Sequence, residues 1–222
     1  MRLSLSAAFS LVICTAFPVL ASGKNDDSAS GQAVIREMNL ACQNPALYAT
    51  FVQELRSRMN SNFLVLPGHT RIHTREGTAA VDEAIRFLKN AQPLPPLNLS
   101  RGMSRAAADH CADQASGGFG HEGRDRSHGG QRIARYGNFS GSWGENISYG
   151  KSTARDVVIA LIIDDGLPGR KHRANIFNPN FNFAGAAFGP HARFGVMCNM
   201  DFAGGYAEHG EAAADTLVAR NF

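Results

Sequence analysis

The sequence predicts an α+β domain in which helices occupy most of the chain and a small antiparallel sheet comes late. In several early stretches, apolar residues recur at every third or fourth position, the spacing of one helix face. Near the end, apolar residues take alternate positions in RFGVMCNMDFAG (193–204), which indicates a strand. Helical and strand patterns do not alternate regularly, and this excludes a βαβ architecture.

Composition limits both the size of the fold and the kind of partner. The 222 residues are 44% hydrophobic and 18% charged, which suits one globular domain or at most two small ones. The formal net charge is only +3, and the basic residues are scattered rather than gathered into a stripe. We therefore expect no nucleic-acid partner.

The first 21 residues have the pattern of a secretory signal peptide. Arg2 precedes an apolar run from Leu3 to Leu20, and small residues follow at Ala21 and Ser22. Polar residues and a proline interrupt the run, whereas a membrane span needs about 20 apolar residues without a break. No later segment has the pattern of a transmembrane helix. We expect cleavage after Ala21 and an exported protein, secreted or periplasmic, with no transmembrane segment after cleavage.

Helix signals follow a polar lead-in at 22–33. The second helix is predicted to begin at Asn44-Pro45, because proline suits the first helical turn. Ser100 can cap another helix, and Ser152 or Thr153 a later, wholly apolar one. The first predicted helix starts at Val34. The second follows Asn44-Pro45, and its apolar face consists of Leu47, Phe51, Leu55 and Met59. Three further helices are predicted over 79–92, 101–116 and 155–163.

Three segments are predicted as loops because glycine and other turn residues dominate them: 117–131, 137–150 and 169–179. The strand-like stretch 181–189 comes next, and Pro190-His191-Ala192 can turn it back onto the final strand as an antiparallel hairpin.

The loops carry ionisable side chains that packing does not readily explain. These are His121 with His128, Glu145, and His172 close to Asp164 and Asp165. Two imidazoles and a carboxylate can bind a zinc-like ion, with water in the fourth position. The same groups can act as a base and an acid without metal. They can equally be scattered histidines in glycine loops, since no HExxH motif is present.

The order of the motifs is more informative than any one of them. GFGHEGRDRSHGGQRIARYG, WGENISYG and GRKHRANIFNP precede an alternating strand, with GENI at 144–147 and HRANI at 172–176. This series resembles the CAP superfamily of cysteine-rich secretory, antigen 5 and pathogenesis-related 1 proteins, in its bacterial secreted form with an SCP domain. The resemblance covers 34–206, and we expect an insertion at 60–92 and a tail at 207–222.

The resemblance implies a three-layer α-β-α sandwich with a cleft lined by two histidines and two acids. His121, Glu145 and His172 match three of these positions, and Asp164 or Asp165 is the candidate for the fourth. The resemblance favours a binding protein whose cleft holds a divalent cation weakly, through His121 and His172, together with a lipid, peptide or glycan. The alternatives are a metal-dependent extracellular hydrolase, with Glu145 as general base, and a structural envelope protein.

Cysteine usage predicts one disulfide. Removal of the signal peptide leaves three cysteines, and an exported protein meets an oxidising compartment. Cys111 lies on the inner face of its predicted helix, and Cys198 on the apolar face of the last strand. We therefore expect a Cys111–Cys198 bridge, with Cys42 free.

Overall fold

A computed structural model describes residues 30–65 and 71–210. The predicted signal peptide, residues 22–29 of the lead-in and 211–222 of the tail lie outside the described residues. The helices are α1 (Gly31–Gln43), α2 (Pro45–Ser57), α3 (Thr78–Asn90), α4 (Arg101–Gln114), α5 (Gly129–Ile133), α6 (Ala154–Ile163) and α7 (Lys171–Ile176). The strands are β1 (Met59–Asn60), β2 (Phe63–Leu64), β3 (Ile72–His73), β4 (Asn98–Leu99), β5 (Gly137–Tyr149), β6 (Phe183–His191) and β7 (Gly195–Glu208).

The main sheet has four strands in the order β4-β6-β7-β5. The β6–β7 hairpin confirms the antiparallel pair predicted at the end of the chain, and β5 pairs antiparallel with the other edge of β7. The two-residue strand β4 adds to β6 in parallel. A separate small antiparallel sheet joins β1, β2 and β3. The α+β class is thus confirmed.

Apolar side chains cover both faces of β7. Cys198, Met200 and Phe202 pack into the main core with residues of α1, α3 and α6. Met197 and Ala203, which point to the other face, belong to two smaller clusters with residues of α4. Helices therefore pack on both sides of the sheet.

The cap residues explain where the helices begin. Ser100 accepts the Met103 amide at 3.0 Å to start α4, and Thr153 accepts the Asp156 amide at 3.1 Å to start α6, as predicted. Ser30 accepts the Ala33 amide at 3.1 Å. This cap starts α1 at Gly31, three residues before the predicted start.

Two segments predicted as loops have regular structure. Residues 137–149 form β5, with a register shift between Ser140 and Trp143. Its glycines permit close packing, since a Cβ at Gly137 would lie 2.5 Å from the carbonyl oxygen of Ala207. Residues 171–176 form the short helix α7. Glycine content misled the prediction for 137–149, because a strand packed tightly on its neighbours also needs small residues.

The predicted apolar face of α2 is only partly correct. Phe51, Leu55 and Met59 are partly buried against the main core, but Leu47 is 50% exposed. The buried residues of the helix are Pro45, Tyr48, Ala49 and Val52. The helix packs against α1 and α3.

The tail and the predicted insertion are both more integrated than expected. β7 continues to Glu208, whose carboxylate accepts the Gly102 amide at 2.8 Å near the start of α4. A carboxylate is favourable there because amide groups at a helix N-terminus carry partial positive charge. Within 60–92, Val81, Ala84 and Leu88 of α3 are buried in the main core.

The expected Cys111–Cys198 disulfide is absent, and Cys42, Cys111 and Cys198 are buried free thiols. Cys198 lies in the main core, whereas Cys111 packs with Met197 in the cluster on the α4 side. Met197 and Cys198 are successive strand residues and point to opposite faces. The sheet therefore separates the two sulfur atoms. The prediction failed because it assumed a single apolar face.

No helix in the described part of the chain is both long enough and apolar enough to cross a membrane.

Candidate functional site

An exposed histidine lies on a buried ion pair at the edge strand β5. The His121 side chain is 56% exposed, and its Nδ1–H donates to Glu145 Oε1 at 2.8 Å. Glu145 Oε2 accepts from Arg132 Nη2 at 2.5 Å, and Arg132 is fully buried. The guanidinium also donates to the carbonyl oxygens of Ser127 and His121. The ring is thus held through its Nδ1 atom, and its Nε2 atom is left available.

A second carboxyl lies behind Glu145. Asp201 is paired with Glu145 across β5 and β7 and is fully buried. Burial, and then the charge of Glu145, raise the pKa of Asp201 well above its usual value. Burial also opposes ionisation of Glu145, but the His121 hydrogen bond and the Arg132 charge prevail and lower its pKa. Glu145 is therefore the more acidic carboxyl, and Asp201 is the one that keeps its proton to higher pH.

His172 is held in the same way by a different acid. Its Nδ1–H donates to Asp164 Oδ1 at 2.7 Å, and its backbone N–H donates to Asp164 Oδ2 at 2.9 Å. Asp164 ends α6 in the left-handed conformation, and only 2% of its side chain is exposed. Asp165 instead accepts the amides of Arg75 and Glu76. Of the two candidate acids, Asp164 is the one that contacts His172.

Two asparagines connect the His121–Glu145 pair to the His172–Asp164 pair. Asn146 follows Glu145 on β5, and its Nδ2 donates to the carbonyl oxygen of His172 at 2.9 Å. Asn175 Nδ2 donates to Asn146 Oδ1 at 2.8 Å and to the Glu145 carbonyl oxygen at 3.3 Å. The GENI and HRANI motifs are therefore joined side chain to side chain, which gives a physical reason for their asparagines.

A salt-bridge clamp from α3 supports the segment that carries His172. The Arg173 side chain is almost completely buried, and it donates to both carboxylate oxygens of Glu83, at 2.6 and 2.7 Å. Its Nε donates to the carbonyl oxygen of Ile162, near the end of α6. Arg170 adds contacts to Glu76 and Glu83. Residues of the predicted insertion thus hold the α6–α7 connection in place.

Sequence reasoning missed Arg132, Asp201, Glu83 and Arg173. Asp201 stands at an alternate position of the final strand, which a sheet with one exposed face would leave in solvent. The helices on both faces bury it instead. His128, the other candidate histidine of segment 117–131, precedes α5 and is exposed, and its backbone N–H donates to Gln131 at 2.9 Å.

The His121–Glu145 and His172–Asp164 pairs do not form a complete metal site by themselves. No group of three or more His, Cys, Asp or Glu side chains in the described ranges has an arrangement that could hold a metal ion. The described chain therefore offers His121 and His172 as two separately oriented imidazoles.

Solved structures that resemble the chain include an extracellular SCP-domain protein of Bacillus anthracis (18% identity, TM-score 0.41), an outer surface protein of Borrelia burgdorferi (16%, 0.42) and a cysteine-rich secretory protein of Staphylococcus aureus (14%, 0.37). The alignments cover 57%, 50% and 62% of this chain, and 37%, 78% and 42% of those chains. The chain thus spans less than half of the first and third structures.

A search of curated proteins found no match. The sequence model of the cysteine-rich secretory protein family, CAP, matches residues 53–200, from within α2 to β7, and the matched range includes His121, Glu145, Asp164 and His172. The match takes in about two-thirds of the sequence, and the chain therefore belongs to the CAP family.

Proposed function

We propose that this protein is an exported binding module in which His121 and His172 contact a ligand and weakly hold a divalent cation. One observation carries the proposal: a buried carboxylate engages the Nδ1 atom of each histidine and leaves its Nε2 atom for an incoming group. Carboxylates orient metal-binding histidines in this way in many proteins. The predicted signal peptide supports export.

The donor chemistry fits a zinc-like ion only in part. Neutral imidazole nitrogen is a good zinc ligand, and a hydrogen bond from Nδ1–H to a carboxylate fixes the tautomer that ligation at Nε2 requires. Two imidazoles leave at least two coordination positions to water or to ligand atoms. We therefore expect low affinity, and the cation would help to position a lipid, peptide or glycan.

The surroundings of Glu145 favour binding over hydrolysis. A general base needs a free oxygen within reach of the attacking water. Both oxygens of Glu145 are occupied, by His121 and Arg132, and only 2% of the side chain is exposed. Its lowered pKa also makes the carboxylate a weaker base. Glu145 is better suited to orient His121 than to activate water.

Calorimetric titration with zinc chloride tests the proposal. The wild-type chain should bind zinc at pH 7.5, because neutral imidazole nitrogen is a good zinc ligand. His121→Ala and His172→Ala should each raise the Kd at least tenfold. His128→Ala is the matched control, an exposed histidine of the same glycine-rich segment, and should bind as the wild type does. Equal affinity in all four proteins would refute a joint site.

A further inference from the structure

An aromatic platform lies beside His121. It consists of the rings of Phe119, Tyr149, His191 and Phe194. Phe119 stacks on Tyr149 with a centroid separation of 4.8 Å and an interplanar angle of 21°, and Tyr149 lies 5.1 Å from Phe194. His191 is 5.3 Å from Tyr149 and 5.0 Å from Phe194. Phe119 is 69% exposed, more than any other large hydrophobic side chain in the described ranges. One face of the stack is therefore open to solvent.

Buried polar side chains hold the loop that carries Phe119. His110 Nε2–H donates to the Gly120 carbonyl oxygen at 2.9 Å, and the Gly120 amide donates to Tyr149 Oη at 3.0 Å. His191 Nε2–H donates to the carbonyl oxygen of Gly118 at 2.7 Å. His110 and His191 are completely or almost completely buried.

The hydrogen bonds on both sides of Phe119 fix an exposed aromatic residue in a defined orientation. A protein gains no stability from leaving such a ring in water. Fixing a contact residue before binding does, however, lower the entropic cost of binding a ligand. The arrangement is thus that of a prepared contact surface rather than of a loose loop.

We propose that the aromatic platform, with Arg193 at its rim, is a stacking subsite for a uronic-acid unit of an acidic glycan. The inference rests on the proposed function, in which the His121 surface binds a ligand, and it names the class of that ligand. His121 follows Phe119 by two residues, and both side chains are exposed, so the platform and the His121 surface belong to the same segment of the chain.

The chemistry of the platform matches a sugar ring better than a lipid chain. The face of an aromatic ring carries partial negative charge, and it attracts the weakly positive C–H groups that line one face of a pyranose. A sugar also needs polar partners for its hydroxyl groups, and the exposed side chains of His121 and Glu122 can supply them. A lipid chain would leave these groups without partners.

The rim charge selects an acidic sugar. The Arg193 guanidinium lies 5.2 Å from the centroid of Phe194 and is exposed. In the part of the chain that the structure describes, Arg193 forms no salt bridge, so its donors can reach a ligand. Guanidinium groups bind carboxylates through paired, charge-assisted hydrogen bonds. Lys151, two residues after Tyr149, is partly exposed and adds a second positive charge.

The test is an NMR titration of the ¹⁵N-labelled mature chain with tetragalacturonic acid, in EDTA so that no cation contributes. Cellotetraose is the neutral probe and N-acetyltryptophanamide the aromatic one. Tetragalacturonic acid should shift the amides of 118–121 and 193–195. Phe119→Ala should raise its Kd at least tenfold, and Phe119→Trp should retain binding. Arg193→Gln should weaken the binding of tetragalacturonic acid several-fold and leave the binding of cellotetraose unchanged.

Phe63→Ala is the matched control, because Phe63 is an exposed phenylalanine in the other sheet. It should leave the Kd unchanged. The proposal is overturned if tetragalacturonic acid leaves the platform amides unshifted, or if Phe119→Ala binds it as the wild type does. Binding of N-acetyltryptophanamide without the saccharide would overturn it too, in favour of an aromatic peptide. Zinc binding without saccharide binding would overturn the glycan subsite alone and leave the proposed function standing.

Discussion

Glu145 and Asp201 stand directly opposite each other on β5 and β7, and their pKa values shift apart: burial raises the pKa of Asp201, whereas contacts with His121 and Arg132 outweigh burial and lower that of Glu145. One guanidinium, that of Arg132, faces them from α5. Ionisation of both would place two negative charges beside a single positive one in a region without water contact. A neutral Asp201 can instead donate its proton toward Glu145, whose other contacts hold His121.

Asp201→Asn should change the pH dependence of stability. The folded-state pKa of Asp201 is raised, so the folded protein keeps a proton that the unfolded chain releases above about pH 4. The stability that this proton contributes is full below about pH 4 and is lost as pH rises through the raised pKa. The amide of the variant does not titrate. Relative to the variant, the wild type should lose up to about 1.4 kcal/mol of unfolding free energy per pH unit.

Urea unfolding between pH 4.5 and 8 measures this difference. Glu145 titrates in both proteins, so its opposite contribution, which is lost as pH falls, largely cancels in the comparison. Parallel stability curves for wild type and variant would contradict a neutral Asp201.

Arg132→Met should be among the most destabilising substitutions near the site. It removes the fully buried guanidinium and leaves the Glu145 carboxylate uncompensated. Loss of one partner of a buried ion pair costs about 3–5 kcal/mol. The double variant Arg132→Met/Glu145→Gln should recover part of that loss, because no buried charge remains. Urea unfolding of Arg132→Met, Glu145→Gln and the double variant gives the coupling free energy between the two side chains. Strictly additive losses of stability would argue against the buried pair.

Glu83→Gln should loosen the α6–α7 connection. Arg173 keeps its backbone carbonyl partners but loses the charge opposite it, and we expect a cost of about 1–2 kcal/mol because the Glu83 side chain is 39% exposed. Hydrogen exchange of the His172 amide, which donates to Asp164, should become faster. Asp82→Asn is the control, since its pair with Arg56 is more exposed and should contribute less than about 1 kcal/mol. Unchanged exchange at His172 would show that Glu83 does not support it.

With the predicted signal peptide removed, the protein should contain three slow-reacting thiols and no disulfide. Burial raises the pKa of Cys42 and of Cys111 to about 12, and raises that of Cys198 as well. Thiolate is the reactive form, so Ellman's reagent should modify the native protein slowly and yield three equivalents after denaturation. Peptide mapping under non-reducing conditions checks the pairing. A peptide that links Cys111 to Cys198 would require a sheet arrangement different from the one observed.

Local signals in the sequence determined several elements correctly. Ser100 and Thr153 begin their helices because their side chains accept amides within the same turn, an interaction between residues close in sequence. The alternating residues after Arg193 form β7 because strand side chains alternate between faces whatever packs on them. The GENI and HRANI motifs also singled out Glu145 and His172 as candidates, and each of them contacts another candidate residue.

Tertiary structure alone decided which residues those candidates meet. Asp164 and Asp165 are equivalent in sequence, but the left-handed turn at Asp164 directs one carboxylate to His172 and the other to the start of α3. The separation of Cys111 from Cys198 and the burial of Asp201 depend on helices covering both faces of one sheet. Contacts of this kind join residues distant in sequence, and their energy depends on burial and charge at the meeting point, which no local pattern encodes.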